Sequence, residues 1–260
     1  MNFFGWIGQR FIESLLYIID FTYFFTHSLS VWQVQRNVFN KAVYSSLLGQ
    51  LIFTGVDAIA MISFLAVMAG IGITSQLIYI MHAITGASDL TAILARIVVS
   101  ELGPVITGVI LVGRSCSAIA VDLGNTKVRG EIEPLEYMGI DVDDYFVVPR
   151  IVCMIISQVT LALYFSIITI LCGVFFSAYI YNFSAQESLT QLLNTMDIDI
   201  VIVFMLKNLF FGLIIGAMAC FHGLLVENSP TQVPQQMQRA VVRGLVFLFL
   251  ADGYFSLFTL

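Results

Sequence analysis

Five ionisable residues interrupt the long apolar stretches of this sequence, and they are the first candidates for chemistry. They are Asp57, Arg96, Glu101, Lys207 and Asp252. A charged side chain at membrane depth is costly, so each must face a partner, water or a polar ligand. For Glu101 two interpretations stay open. It lines a cavity for a polar ligand, or it forms a structural ion pair with Lys207 or Arg96.

The other reactive residue types show no catalytic or metal-binding arrangement. Four widely spaced cysteines form no Cys-x-x-Cys pair or Cys/His cluster, which favours a packing role; they are Cys116, Cys153, Cys172 and Cys220. The histidines fall at three separate span ends or interfaces: His27, His82 and His222. There is no G-x-S-x-G and no H-E-x-x-H. We therefore predict no catalytic residue and no metal site.

The composition predicts a membrane protein with one domain over residues 1–260. The chain of 260 residues is 59% hydrophobic and only 11% charged, so a polar shell could not cover its apolar surface. A spanning helix needs about 20 apolar residues. Five stretches meet this requirement in residues 46–260, within Leu47–Ile80, Leu90–Val112, Val147–Tyr181, Ile198–Leu225 and Val241–Leu260. The net charge of −6 without a dense basic patch gives no case for nucleic acid.

The N-terminal region, residues 1–45, predicts an interfacial helix rather than a span. Within Phe3–Phe25, a helical period separates an apolar side from a polar side. The polar side carries Gln9, Arg10, Glu13 and Asp20. The segment also lacks the features of a cleaved secretory signal.

Lysine and arginine predict the topology, because cytoplasmic loops near span ends collect them. They precede the first span and lie between spans two and three and between spans four and five. The connections His82–Asp89 and Asn182–Asp197 contain none. We therefore expect a cytosolic N-terminus and an external C-terminus.

The stretch Asp122–Arg150, here called the middle segment, is the only long polar stretch between spans. Thr126–Met138 can form a short helix closed by Gly139. Because Pro134 lies inside it, we expect a bent or two-part helix. The segment should be a cytosolic contact surface and not a catalytic site, since no nucleophile lies near its carboxylates.

The run from Glu101 to Arg150, ELGPVITGVILVGRSCSAIAVDLGNTKVRGEIEPLEYMGIDVDDYFVVPR, resembles the signature of MlaE/YrbE-type permeases. These are the membrane subunits of MCE-associated lipid ABC transporters. The run has the ELGP motif, the GR followed by small residues, the E-x-x-x-x-E-x-M-G-(I/V)-D pattern and the closing VPR, in order. The span layout, the N-terminal interfacial helix and the length agree, so the resemblance covers essentially the whole chain.

The resemblance implies an all-α permease of the bacterial inner membrane that moves phospholipid or a related lipid and so serves outer membrane lipid asymmetry. It implies a homodimer, a cytosolic ABC ATPase and an MCE-domain substrate-binding protein, and it allows for a small STAS-type regulatory subunit. The chain itself would bind no cofactor. It has no G-x-x-x-x-G-K-[ST], so ATP and Mg would be bound by the partner ATPase.

In that family the short helix after span two docks on the ATPase. Carried over to this sequence, the ATPase-coupling residues are Thr126, Lys127, Arg129, Glu131, Glu133, Leu135, Glu136 and Met138. The candidates for lining a lipid cavity are Asp57, Arg96, Glu101, Pro104 and Lys207. Ser100 stands where the family often has an arginine before the ELGP glutamate. Arg96 is a poor substitute, because five residues rotate a helix by about 140 degrees.

Three rival functions compete with this reading. In an ion-coupled secondary transporter of a hydrophobic substrate, Asp57, Glu101 and Asp252 would relay protons. An intramembrane enzyme lacks the motifs for its chemistry. A purely structural scaffold would carry no lipid.

Overall fold

A computed structural model describes residues 21–23, 49–84, 90–139, 142–181, 190, 198–227 and 229–259. The described part is helical and contains no strand. Among the residues that the model describes, five helices are long and apolar enough to cross a membrane. Spans one to five are Gly49–Tyr79, Leu94–Val128, Tyr145–Ile180, Ile198–Leu224 and Gln232–Leu257. The prediction of an all-α protein with five spans is confirmed.

The helices within these spans have the following bounds. Span one contains a 3-10 turn and a long helix, Val56–Ala58 and Ile59–Ile84. Around span two lie Leu90–Ile97, Gly103–Leu111 and Ser117–Val128, joined by π-helical turns at Val98–Leu102 and Val112–Cys116. A short helix, Ile132–Tyr137, follows. The remaining elements are the π turn Asp143–Val147 and the helices Val148–Tyr181, Ile198–Leu224 and Gln232–Thr259.

Span two is longer than the sequence predicts, because its helix continues past Val112 to Val128. The extension is less apolar, but one of its faces packs into the core through Cys116, Ile119, Ala120 and Leu123. Burial of that face keeps the chain helical where hydropathy alone indicated a loop. Span five likewise begins earlier than predicted, at Gln232, with Val233 and Ala240 buried.

Glycines bring the spans into close contact. A Cβ atom on Gly70 in span one would lie 2.5 Å from the Thr169 carbonyl oxygen in span three. The predicted small-residue pair in span four, Gly212 and Gly216, packs on span three. A Cβ atom there would lie 2.6 Å from the Cα atom of Ile155 and 3.0 Å from that of Ile151, respectively. Span three is thus held between spans one and four.

The predicted interfacial helix within Phe3–Phe25, like most of residues 1–45, lies outside the described residues. Phe21 is described and is buried. Its ring centroid lies 5.7 Å from those of Phe221 in span four and Phe247 in span five. Phe21, which precedes span one in the sequence, therefore contacts spans four and five.

Candidate functional site

A buried lysine joins two carboxylates from different helices of the bundle. Lys207 of span four is 1% exposed. Its Nζ lies 2.7 Å from Glu101 Oε2 of span two and 2.6 Å from Asp252 Oδ1 of span five. The Glu101 and Asp252 side chains are 37% and 21% exposed. We call these three residues the ion triad. The ion triad contains two carboxylates and one ammonium group. When both acids are ionised, the lysine therefore offsets only part of the triad's negative charge.

Pro104 supplies the lysine with a third partner. It has no N–H to donate to the Ser100 carbonyl four residues earlier, and Lys207 Nζ donates to that carbonyl at 2.9 Å. Ser100 and Glu101 both lie in the π-helical turn Val98–Leu102, a distortion that is frequent at functional sites. The ELGP motif therefore turns both a carboxylate and a backbone carbonyl towards one cation.

A neutral polar network continues from the ion triad along span four. Gln158 of span three and Asn208 of span four are fully or almost fully buried. Gln158 Nε2 lies 3.0 Å from Asn208 Oδ1 and 3.1 Å from both Thr107 Oγ1 and the Pro104 carbonyl oxygen. In turn, Asn208 Nδ2 donates to the Phe204 carbonyl at 2.8 Å. The network joins spans two, three and four beside the charged group.

Replacing Gln158 with leucine should destabilise the helix bundle by about 1 to 2 kcal/mol, because Asn208 Oδ1 loses its donor within the protein interior. Unfolding in detergent micelles measures the change. Thr160→Val is the matched control, because Thr160 bonds only the Ile156 carbonyl of its own helix at 2.8 Å. Equal stability of the two variants would contradict the assigned role of Gln158.

Two other predicted cavity residues lie apart from the ion triad. Asp57 of span one pairs with Arg114 of span two at 3.4 Å, and the Arg114 guanidinium lies 5.4 Å from the Phe53 ring centroid. A cavity of about 250 Å³ borders this region, lined by Gln50, Phe53, Ala118, Ile119 and Asp122. Arg96 is exposed on the helix surface, and Lys207 takes the pairing with Glu101. The structure therefore brings together Glu101, Pro104 and Lys207 from the predicted set.

The same geometry sets one acid of the proton-relay alternative apart from the other two. Lys207 connects Glu101 with Asp252, whereas Asp57 is paired with Arg114, which follows Glu101 by 13 residues in span two. Of the histidines, His222 is buried and its Nδ1 lies 3.0 Å from Gln236 Oε1. Among the described residues, no three His, Cys, Asp or Glu side chains are grouped to hold a metal ion.

The middle segment is in two parts, as its proline led us to expect, but the break falls at a glycine. The helix of span two continues to Val128, and the short helix Ile132–Tyr137 follows after a turn at Gly130 with φ of 68°. Pro134 is the third residue of that helix, where its missing N–H is not needed. Gly139 ends the segment's helix with φ of 74° and donates to the Glu136 carbonyl at 2.9 Å.

The predicted ATPase-coupling residues divide into two groups by position. Thr126 and Lys127 belong to the last turn of span two, where Lys127 Nζ donates to the Leu224 carbonyl at the end of span four. The others lie in the turn and short helix, where Glu131, Glu133, Glu136 and Met138 are exposed. Arg129 pairs with Glu131 at 3.6 Å, and Leu135 is half-buried. Only the second group projects from the bundle.

Sequence reasoning missed three features of this arrangement. Gln158 and Asn208 are amides inside apolar runs, and that pattern was a usable signal for a buried polar contact. Pro104 indicated that a nearby carbonyl loses its usual backbone donor, but not that Lys207 of span four donates to the Ser100 carbonyl instead. An ion pair between Asp122 and Arg150, at the two ends of the middle segment, had no signal in the local sequence.

Five apolar helices packed around buried charges define a multi-pass membrane protein, and comparison with known proteins assigns its class as a transporter permease. A family model described as Permease MlaE matches residues 47–258. The chain belongs to the MlaE permease family.

Relatives of this chain agree with that class. A probable ABC transporter permease protein, RT0041 of Rickettsia typhi, is 24% identical over 217 residues, covering 83% of this chain and 84% of its own length. A probable ABC transporter permease protein of Synechocystis, slr1045, is 25% identical over 243 residues, covering 88% of this chain and 92% of its own length. Protein TRIGALACTOSYLDIACYLGLYCEROL 1, chloroplastic, of Arabidopsis thaliana is 27% identical over 228 residues, covering 86% of this chain and 64% of its own length. A permease of this class is a transport subunit rather than an enzyme, and it implies an ATPase partner.

Proposed function

We propose that this chain is the membrane subunit of an ATP-driven transporter that moves phospholipid or a related lipid between the inner membrane and the outer envelope. The ABC transporter permease relatives support the mode of transport. The Arabidopsis relative carries the name of a galactose-bearing diacylglycerol lipid, which supports a lipid substrate. ATP and Mg are bound by the partner ATPase.

The observation that carries the proposal is the short helix of the middle segment. Tyr137 is 89% exposed and Met138 is 65% exposed, and three glutamates flank them in sequence: Glu131, Glu133 and Glu136. Large apolar side chains exposed amid charges outside the spans are typical of a contact with another protein. The short helix therefore suits insertion into a groove on the ATPase.

Charge distribution supports a cytosolic position for this end of the bundle. The contacts of Lys127 with Leu224 and of Gly124 with Val226 and Val233 bring the ends of spans two and four beside the start of span five. The basic residues Lys127, Arg129, Arg150, Arg239 and Arg243 lie at this end, and basic residues are typical of cytoplasmic ends. We therefore propose a cytosolic N-terminus and a periplasmic C-terminus.

The full transporter that we propose contains two copies of this chain, the ATPase and an MCE-domain protein, with room for a small STAS-type subunit. The sequence resemblance supports this composition. The ion triad lies between spans two, four and five, where its exposed carboxylate edges would meet a lipid head group inside a cavity between the two copies.

Replacing both Glu131 and Glu136 with lysine should weaken assembly with the ATPase at least about tenfold, equivalent to about 1.4 kcal/mol, because two exposed charges reverse at the proposed contact. Co-purification of the chain with the ATPase from the same gene neighbourhood, followed by titration of the two components, measures the effect. The matched control is Asp199→Lys, since Asp199 is an exposed acid at the opposite end of the bundle.

Unchanged assembly and unchanged lipid-dependent ATP hydrolysis in the double variant would show that the short helix is not the docking element. Transport by the purified chain alone, driven by an ion gradient without ATP, would instead favour the secondary transporter and overturn the proposed function.

A further inference from the structure

The two ends of the middle segment are tied together by an ion pair. Arg150 Nη2 lies 2.5 Å from Asp122 Oδ2. The arginine side chain is 7% exposed, whereas the aspartate is 59% exposed. Because Asp122 is in the last turns of span two and Arg150 is in the first turn of the span-three helix, the pair joins the helices that lead into and out of the segment.

Arg150 makes two further contacts that hold its guanidinium in place. Nη1 donates to the Phe146 carbonyl at 3.1 Å, and the guanidinium carbon lies 5.3 Å from the Phe146 ring centroid. Arginine can satisfy an acid and a carbonyl at once because its donors form a rigid planar fork. The Phe146 carbonyl belongs to the π-helical turn Asp143–Val147, so the same side chain also fixes the return path of the segment.

A second tie connects the segment to span four. Lys127 Nζ donates to the carbonyl of Leu224, the last residue of the span-four helix. Carbonyls at a helix C-terminus lack partners within the helix, and a cation there is also favoured by the helix dipole. Lys127 is therefore engaged within the chain, which distinguishes it from the exposed residues of the short helix.

We propose that Asp122, Arg150 and Lys127 are positioning residues that clamp the base of the middle segment to spans two, three and four. This inference rests on the proposed function, in which the short helix receives force from the ATPase. The two glycines with positive φ, Gly130 and Gly139, lie beyond the clamp. The short helix can therefore adjust to the ATPase surface, while displacement of the clamped base passes directly to three spans.

The geometry predicts a specific defect when the clamp is opened. Without the Asp122–Arg150 pair, the base of the segment can move without moving span three, so ATP hydrolysis continues while less lipid is moved. The docking surface itself is untouched, because Asp122 lies outside the turn and short helix that carry the exposed side chains. Loss of coupling with retained assembly is the signature of a positioning role.

The test uses the complete complex reconstituted in vesicles of phosphatidylethanolamine and phosphatidylglycerol, with fluorescent phosphatidylethanolamine as the transported probe. For Asp122→Asn, we expect normal assembly with the ATPase, sustained ATP hydrolysis and a fall of at least about fivefold in lipid moved per ATP, within the usual range of coupling between sites. Asp122→Glu, which keeps the charge, should recover most of the coupling. Asp199→Asn, at the opposite end, should behave as the unmodified chain.

Two results would overturn the clamp. An unchanged ratio of lipid to ATP in Asp122→Asn would show that the pair does not transmit motion. Loss of ATPase binding in the same variant would place Asp122 in the docking surface instead. A failure of the proposed function is distinguishable, because the unmodified complex would then show no lipid-dependent ATP hydrolysis at all.

Discussion

Replacement of Lys207 with methionine is expected to cost about 3 kcal/mol of stability, the low end of the range for removing one partner of a buried ion pair. The substitution leaves Glu101 and Asp252 facing each other without a cation, and it also leaves the Ser100 carbonyl without its donor. The low end applies because both carboxylates are partly exposed and can be solvated. Unfolding in detergent micelles, followed by helicity, measures the loss.

Two further variants separate charge pairing from packing. Neutralising both acids in the same chain, as Glu101→Gln, Lys207→Met and Asp252→Asn together, should restore much of the stability, since no unpaired charge remains. Arg96→Met removes an exposed cation that lies apart from the ion triad and should change stability by no more than about 0.5 kcal/mol. If Lys207→Met and Arg96→Met were equally stable, the ion triad would have no energetic role.

Introducing a methyl group at Gly212 should cost about 1 to 3 kcal/mol, as overpacking of a tight core does. The new Cβ atom in Gly212→Ala would lie 2.6 Å from Ile155 Cα and 3.0 Å from the Met154 carbonyl oxygen. Backbone atoms cannot rotate away, so spans three and four must separate. The separation would also pull Gln158 away from Asn208, and activity should fall along with stability.

A graded series of glycine substitutions checks this explanation. Gly216→Ala should cost less, because its Cβ atom would lie 3.0 Å from Ile151 Cα, and Gly72→Ala should be nearly neutral, because no atom lies within 4 Å. In thermal unfolding in one detergent, the loss of stability should therefore be largest for Gly212→Ala, smaller for Gly216→Ala and smallest for Gly72→Ala. A larger loss at Gly72 than at Gly212 would contradict the packing argument.

The middle segment shows how far local sequence reasoning extends. Glycine and proline positions indicated a helix in two parts that ends at Gly139. The structure has two helical parts on either side of Gly130, and the second ends at Gly139. The boundary at Gly130 was missed because Pro134 was judged as a mid-helix residue, whereas in the structure it lies in the first turn. Helix length in span two was underestimated for a different reason: burial of residues such as Ile119 and Leu123 stabilises a polar-looking extension.

By itself the sequence determined the membrane class, the number of spans and the family resemblance, because each depends on composition, run length or a motif within one stretch. The tertiary structure alone decided which charges meet. Glu101 and Lys207 are 106 residues apart, and their contact depends on the depth and rotation of helices that are positioned by close packing at glycines. The same holds for Asp122 and Arg150, which meet because the chain between them folds back on itself. Ion pairs between helices are set by this packing, and no local pattern in one helix specifies its partner in another.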